Sequence, residues 1–293
     1  MIPNVLSIAG TDPTSGAGIQ ADLKAMYALG AYGMSVITAV VAQNTQGVRC
    51  FVALEPDFVA DQLDAVFEDV RVDAIKIGMI ANAGIAEAIA DRLHHHGLDC
   101  PIVLDPVMVA KSGDRLLSPE AVSVVRDRLL PMCTLLTPNL PEAGDLLHKP
   151  EPASLQEMHS TLSELCLLGP EWVLLKGGHL DGPDSVDLLQ GQGQNHVFQS
   201  PRIPTRNTHG TGCSLSSAIA ALLPGRSVPA AVGLAKEYLN GALAAANQLQ
   251  IGLGQGPVHH FHALWPPAER KATSPIQDQS PPCIVPHSAT RIF

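Results

Sequence analysis

Short apolar runs alternate with longer amphipathic stretches over most of the chain, and the runs stop at polar or glycine-rich turns. Val5 to Ala9 is continuous and apolar and ends at Gly10-Thr11-Asp12-Pro13-Thr14-Ser15-Gly16-Ala17-Gly18. It reads as a buried strand entering a loop. Residues Ile19 to Leu29 place Ile19, Leu23, Met26 and Tyr27 on one helical face, with Gly30 as the stop. Val36 to Ala42, short and β-branched, reads as a second strand buried on both faces that delivers Gln43, Asn44 and Thr45 at its end. The same rhythm predicts a helix over Pro56 to Val70, a strand at Ala74 to Gly78 and a helix over Ile85 to His95. Further strands are expected at Ile102 to Leu104, Leu135 to Thr137 and Val173 to Leu175, ending at Asp105-Pro106, Pro138-Asn139 and Lys176-Gly177-Gly178. Such alternation implies an α/β domain whose mostly parallel sheet is covered by helices on both faces.

In sheets of this kind ligands bind beyond the C-terminal ends of the strands. Asp12, Gln43, Asp105, Asn139, Glu142 and Lys176 all collect there. Each alone has a plainer reading as a turn former or helix cap. A second signal lies in Asn207-Thr208-His209-Gly210-Thr211-Gly212-Cys213-Ser214, which runs into a helical pattern carrying Leu215, Ile219, Leu222 and Leu223. The first N–H groups of that helix would have no partner within it, and the glycines would let them approach a phosphate. The helix dipole adds roughly half a positive charge, a field that favours a Cys213 thiolate. The alternative for this stretch is a tight turn before a buried helix with a core cysteine.

Composition narrows the field of partners. The 46% hydrophobic and 16% charged content can bury a sheet on both faces. A net charge of −10 argues against nucleic acid or an anionic membrane surface as partner. Cysteines at 50, 100, 133, 166, 213 and 283 lack metal-type pairing and read as reduced thiols. The chain has neither a signal-like start nor an apolar run of ~18 residues, so a cytoplasmic protein is expected.

Gly16-Ala17-Gly18-Ile19-Gln20-Ala21 fits the relaxed dinucleotide fingerprint, but the strand after it has no acidic residue for a ribose and ends in Gln43. Gly210 to Ser214 lacks the lysine of a Walker loop. The segments Ile8 to Pro13, Gly16 to Asp22, Val41 to Thr45, Asp105 to Met108, Thr137-Pro138-Asn139 with Glu142, Lys176 to His179 and Asn207 to Cys213 instead resemble the hydroxymethylpyrimidine/phosphomethylpyrimidine kinases of thiamine biosynthesis. The resemblance extends to Gly256-Pro257-Val258-His259-His260-Phe261-His262. It covers residues 1 to 265 and implies a ribokinase-like three-layer α/β/α sandwich that acts as a homodimer.

The activity so implied is transfer of the ATP γ-phosphoryl group to 4-amino-5-hydroxymethyl-2-methylpyrimidine, then to its monophosphate, with Mg2+ as cofactor. By the same resemblance Gly210, Thr211 and Gly212 would hold the transferring phosphoryl group. Cys213 would take the hydroxyl proton in the place of the aspartate usual in the wider superfamily; its alternative is a packing residue. Gln43 and Asp22 would bind the aminopyrimidine ring, with the backbone of Gly10 and Val41 and the walls Met79 and Val107 completing the pocket. Asp22, inside the first helix, has the alternative of a solvated surface residue. Asn139, Lys176, Thr208 and Lys236 would contact ATP, and Glu142 and Asp105 would hold magnesium, largely through water.

Thr14-Ser15-Gly16 departs from the family's usual glycine pair, and Ser suits that loop unless the position needs a positive φ. Ser214 stands for a more frequent threonine and keeps the hydroxyl. The run His94-His95-His96 reads as a complement to the helix dipole rather than a metal tract, and the spacing of His259, His260 and His262 fits no closed zinc site. Residues 266 to 293 lack a periodic apolar face and read as a poorly ordered Pro-rich tail. Two other functions stay open on sequence: pyridoxal or pyridoxine phosphorylation, and a non-catalytic pyrimidine-binding regulator.

Overall fold

The computed structural model describes residues 1–108 and 117–265, so the expected tail at 266–293 lies outside the described residues. β1 (Asn4–Ala9) is followed by α1 (Gly18–Ala28), β2 (Tyr32–Ile37), β3 (Ala39–Asn44), β4 (Gly47–Ala53), α2 (Pro56–Phe67), β5 (Ala74–Ile77), α3 (Ala83–His96), β6 (Ile102–Leu104) and α4 (Pro119–Val124). The chain continues through β7 (Leu135–Leu136), α5 (Leu140–Leu147), α6 (Leu155–Cys166), β8 (Trp172–Lys176), β9 (Asp184–Gly191), β10 (Gln194–Pro201), α7 (Thr211–Leu222) and α8 (Val228–Ala244).

Local chemistry sets the helix ends. Asn82 accepts the Ile85 N–H at the start of α3, and Gly97 closes that helix in the left-handed region at φ 54°. The three histidines lie in its last turn, where His96 also pairs with Asp64 at 2.7 Å. A capping box opens α5: the Asn139 side chain accepts the Glu142 N–H, while the Glu142 carboxylate accepts the Asn139 N–H.

Eight strands form one sheet in the order β10-β9-β8-β7-β6-β5-β1-β2. From β8 to β2 neighbouring strands are parallel, whereas β9 and β10 join as an antiparallel edge that the apolar pattern did not anticipate. The side chains of β10 alternate between half-buried and exposed, so the strand has no continuous apolar run to announce it. Two apolar cores fill the faces of the sheet. Ile8, Ile77, Leu104, Leu136 and Leu175 pack toward α2 to α6, and Val5, Ala74, Val103, Leu135 and Leu174 toward α1, α7 and α8. This is a three-layer α/β/α sandwich. Among the described residues no helix is long and apolar enough to cross a membrane.

One expected element is divided. Val36 to Ala42 does not continue as a single buried strand; it breaks at Thr38, whose N–H bonds the Ala9 carbonyl while its hydroxyl donates to the Met79 carbonyl at 2.6 Å. Beyond that anchor β3 leaves the main sheet and pairs antiparallel with β4 as a separate hairpin. Val40, 54% exposed, therefore lies outside the core that its β-branched character suggested.

Candidate functional site

The strand order reverses at β1, which has β2 on one side and β5 on the other. A crevice opens at such a reversal beyond the strand ends, bordered by the polar residues at the ends of β1, β6, β7 and β8 and by Met79 after β5.

The N-terminus of α7 stands over the phosphate-sized end. Its cap residue Gly210 has φ 75°, and a Cβ there would lie 1.8 Å from the Gly16 carbonyl oxygen, so only glycine lets the two loops interlock. No side chain caps α7, which leaves first-turn N–H groups available to an anion. A Cβ on Gly212 would lie 3.4 Å from Lys176 Nζ and 3.5 Å from Asp105 Oδ2, so this turn sits directly above that pair. Thr208, half-buried, accepts the Thr211 N–H through its carbonyl at 3.4 Å.

Lys176, at the end of β8, donates to Asp105 Oδ1 at 2.8 Å. Thr137 and Ser216 hydroxyls complete the partners of Asp105 at 3.1 and 3.3 Å. Burial works against the Asp105 charge, but Lys176 and Lys76 outweigh it and hold the carboxyl below its ordinary value. Glu142, buried beside them, is pushed up to about 7 by burial and by the charge of Asp105, against Lys176 and the N–H groups of Asn139 and Met108. Lys236, expected at ATP, is paired with Asp187, whose other oxygen accepts the Gly177 N–H at 2.9 Å. It thus braces the turn that follows Lys176.

Cys213 occupies the third position of α7, partly exposed. The expectation of a favoured thiolate needs correcting. Burial pushes the thiol up to about 11; Lys76 opposes this, Asp22 and Asp105 add to it, and the Gly18 N–H lowers it. The helix N-terminus alone does not offset the loss of water around the sulfur.

At the other end of the crevice, Gly10 touches Met79: a Cβ on Gly10 would lie 3.0 Å from the Met79 sulfur. Met79 and Val107 follow β5 and β6, which are adjacent and in register, so both border the crevice. Val41 N–H bonds the Thr11 hydroxyl at 3.0 Å, and the Gly10 carbonyl already accepts the Ile19 N–H. The register of the hairpin shifts between Ala42 and Gln43, a bulge that re-aims the Gln43 amide toward the Asp12 carboxylate.

Asp22 is not at this wall, nor on the surface. It is fully buried, and its carboxylate accepts Ser7 and Ser217 hydroxyls at 2.6 and 2.7 Å and Lys76 Nζ at 2.9 and 3.0 Å. Those four bonds engage both of its oxygens within the core. The sequence reading also passed over Lys76 and the Asp12–His209 pair. A lysine inside the apolar strand Ala74-Ile75-Lys76-Ile77 was the available signal for the first.

Uncapped N–H groups and a lysine at one end of a crevice, with a hydrogen-bonding amide a few residues from an apolar wall at the other, suit a kinase of small ring alcohols. The three-layer sheet arranges them as ribokinase-like kinases do. The model of the family described as phosphomethylpyrimidine kinase matches residues 12–259, and the chain belongs to that family. It is 57% identical over 263 residues to the hydroxymethylpyrimidine/phosphomethylpyrimidine kinase of Salmonella typhimurium, covering 89% of this chain and 98% of that one. Among solved structures it resembles phosphomethylpyrimidine kinase from Clostridium difficile, with TM-score 0.73 and 41% identity over 82% of this chain and 99% of that one. It also resembles an ADP complex of Bacillus subtilis pyridoxal kinase, with TM-score 0.82 and 32% identity over 90% and 99% of the two chains.

Proposed function

We propose that the chain transfers the γ-phosphoryl group of ATP to 4-amino-5-hydroxymethyl-2-methylpyrimidine and then to the resulting monophosphate, as a step of thiamine biosynthesis. The observation that carries this reading is the uncapped start of α7 above Lys176 and Asp105, facing the Gln43 hairpin across one crevice. Identity separates the two vitamin kinases more sharply than shape does: 57% to the Salmonella pyrimidine kinase against 32% to the Bacillus pyridoxal kinase.

The substrate hydroxyl oxygen attacks the γ-phosphorus, the bond to the β–γ bridging oxygen breaks, and ADP leaves with that electron pair. Little covalent help is needed; positioning and charge neutralisation dominate. Backbone N–H groups of Gly210, Thr211 and Gly212 bind the transferring oxygens, and Lys176 neutralises developing charge on the nucleotide side. The hydroxyl proton becomes acidic as the new O–P bond forms, and the Cys213 sulfur, beside those N–H groups, accepts it in the minor fraction present as thiolate, burial holding the thiol up at about 11. Gln43 reads the ring nitrogen and its exocyclic amine, with Met79 and Val107 as walls. Asn139 and Thr208 contact the nucleotide. Lys236 acts there through Asp187 and the Gly177 turn.

The donors near the phosphate end are hard oxygens, as Mg2+ requires. Asp105 is already bonded to Lys176, Thr137 and Ser216, and Glu142 is engaged in the α5 capping box, so the set fits an ion held largely through water. Bound there, Mg2+ would supply charge neutralisation at the phosphates.

A homodimer fits the hairpin, where Val40 and Val52 are cross-strand partners 54% and 68% exposed; sedimentation of Val40→Asp against wild type tests it. Product analysis with Mg-ATP and either the pyrimidine alcohol or pyridoxal tests the activity. Conversion of the pyrimidine to mono- and diphosphate supports the proposal, and turnover of pyridoxal alone overturns it.

A further inference from the structure

The closing motif Gly256 to His262 has no task in the phosphoryl-transfer scheme above, yet it lies against the start of α7. It is fastened on two sides. Toward α8, the His259 N–H bonds the Ala242 carbonyl at 3.0 Å and the Tyr238 hydroxyl donates to the His260 carbonyl at 3.0 Å. Toward the loop before α7, the Gly256 carbonyl accepts the His209 N–H at 3.1 Å, and the Gly256 N–H donates to Asn207 Oδ1 at 3.2 Å. A Cβ on Gly256 would lie 2.5 Å from that oxygen, so glycine is what permits the approach.

Between these fastenings the buried His260 places Nε2 2.8 Å from Ser214 Oγ, and that oxygen lies 2.8 Å from the Gly210 carbonyl oxygen. A carbonyl only accepts, so the single hydroxyl proton goes to Gly210 and the imidazole donates its Nε2–H to the hydroxyl. No other order makes both contacts hydrogen bonds. The Gly210 carbonyl also accepts the Ser214 N–H at 2.9 Å, so two donors hold it from inside the helix. Because the Gly210–Thr211 peptide is planar and trans, its N–H points opposite to its carbonyl. Holding the carbonyl down the helix therefore turns the Thr211 N–H outward, where its bond to the Thr208 carbonyl is long at 3.4 Å. Gly210, at φ 75°, lacks the Cβ that restrains this peptide in other residues, so the restraint has to come from the hydroxyl and the imidazole behind it.

We infer that His260 is a positioning residue for phosphoryl transfer: through the Ser214 hydroxyl it fixes the Gly210–Thr211 peptide, so that the first-turn N–H groups of α7 meet the transferring oxygens already aimed. The inference rests on the proposed reading of that turn as the phosphoryl cradle for its catalytic meaning, and on the hydrogen-bond chain alone for the contact. A preorganised donor acts most on charge that develops in the transition state. Misaiming it therefore lowers kcat, while binding of the pyrimidine alcohol, assigned to Gln43 and the apolar walls at the other end of the crevice, is left in place.

The test compares Ser214→Ala, His260→Leu, His260→Gln and Ser214→Ala/His260→Leu with wild type, each verified as folded by circular dichroism. Hydrogen exchange read by mass spectrometry reports on the turn without any turnover. His260→Leu and Ser214→Ala are expected to speed exchange about tenfold in peptides spanning residues 207–215, with peptides of α3 unchanged. Steady-state kinetics reads the consequence: kcat should fall about tenfold in each single variant, with the KM for the pyrimidine alcohol held within about twofold. The double variant should be no slower than Ser214→Ala, since His260 acts through that hydroxyl. His260→Gln, whose amide N–H replaces the ring donor, should recover most of the rate. Ser214→Ala removes a single oxygen and carries the test if the leucine variant does not fold. Unchanged exchange over 207–215 overturns the inference whether or not the enzyme turns over, and so does a kcat loss that is additive in the double variant or that glutamine does not mend. Faster exchange in an enzyme whose wild type phosphorylates neither alcohol upholds the hydrogen-bond chain and overturns the reading of the site instead.

Discussion

His209 Nε2 lies 2.8 Å from Asp12 Oδ2, joining the loop after β1 to the loop before α7 across 197 residues of chain. Asp12 is fully buried and also accepts the N–H groups of Thr14, Gly16 and Ala17, so one carboxylate shapes its own loop and anchors the other. Burial works against its charge, but His209 and the Thr14 donors hold the carboxyl well below the usual range.

The two loops touch so closely that a Cβ on Gly16 would lie 2.4 Å from His209 Cδ2. Gly16→Ala is expected to lower stability by about 1–3 kcal/mol through overpacking. In Gly16→Ala/His209→Ala the imidazole is gone, and the combined loss should fall short of the sum of the single losses by about 1 kcal/mol. Urea midpoints of the four proteins measure the coupling, and strict additivity would show that the loops do not interlock.

Ser15 adopts φ 60°, a left-handed conformation that costs a non-glycine residue about 1–2 kcal/mol. Part of that is returned as chain entropy when glycine replaces it, so Ser15→Gly should stabilise by roughly 0.5–1 kcal/mol. Thermal unfolding should move up by about 1–2 °C for a chain of this size. A lower melting temperature would show that the serine side chain holds the loop.

His260 is buried and bonds the Ser214 hydroxyl at 2.8 Å; burial, with Lys24 and His259 nearby, lowers its pKa from 6.5 to about 3. Between these values the unfolded chain binds a proton that the folded chain refuses. This group's contribution is therefore complete above pH 6.5 and is lost as pH falls, by about 1.4 kcal/mol per pH unit. His260→Asn should be less stable at pH 7.5 but should lack that slope in denaturation midpoints taken between about pH 5 and 7. Parallel pH profiles would contradict a neutral, buried His260.

Cys213→Ser replaces a thiol, already pushed up to about 11, by a hydroxyl that ionises at higher pH still. Its kcat should fall by about 10²–10⁴, the usual weight of a positioned proton acceptor, with the KM for both substrates held within about threefold. Steady-state assays with the pyrimidine alcohol test this, and a loss confined to KM would assign Cys213 to binding.

Much of the architecture was legible because buried parallel strands announce themselves. The apolar runs at Val5, Ala74, Ile102, Leu135 and Val173 fall at β1, β5, β6, β7 and β8, and their C-terminal ends, polar at all but β5, border one crevice. The hairpin and the β9–β10 edge were not legible in the same way. Val36 to Ala42 is mostly β-branched, and only the long-range bonds of Thr38 to Ala9 and Met79 reveal that the chain turns out of the sheet there. Asp22 was misplaced for a related reason. A carboxylate within a helix has two faces to choose from, and its partners Ser7, Lys76 and Ser217 come from three distant segments that no local pattern connects. Cys213 was visible as a site residue, but its electrostatic balance depends on Lys76, Asp22 and Asp105 being folded around it.

The break at Thr38 divides labour within the molecule. The sheet and α7, which the proposed function gives to the nucleotide, are locked into two continuous cores. The β3–β4 hairpin that bears Gln43 is a leaf outside the sheet, joined at its base by Thr38 to Ala9, Met79 and Leu54 and by Thr11 to Ala39 and Val41. In the proposed function the hydrogen-bonding part of ring recognition, Gln43, thereby sits on an appendage separate from the residues that handle phosphate. A change of ring on this scaffold would then fall first on the hairpin, with the sheet and its two cores untouched.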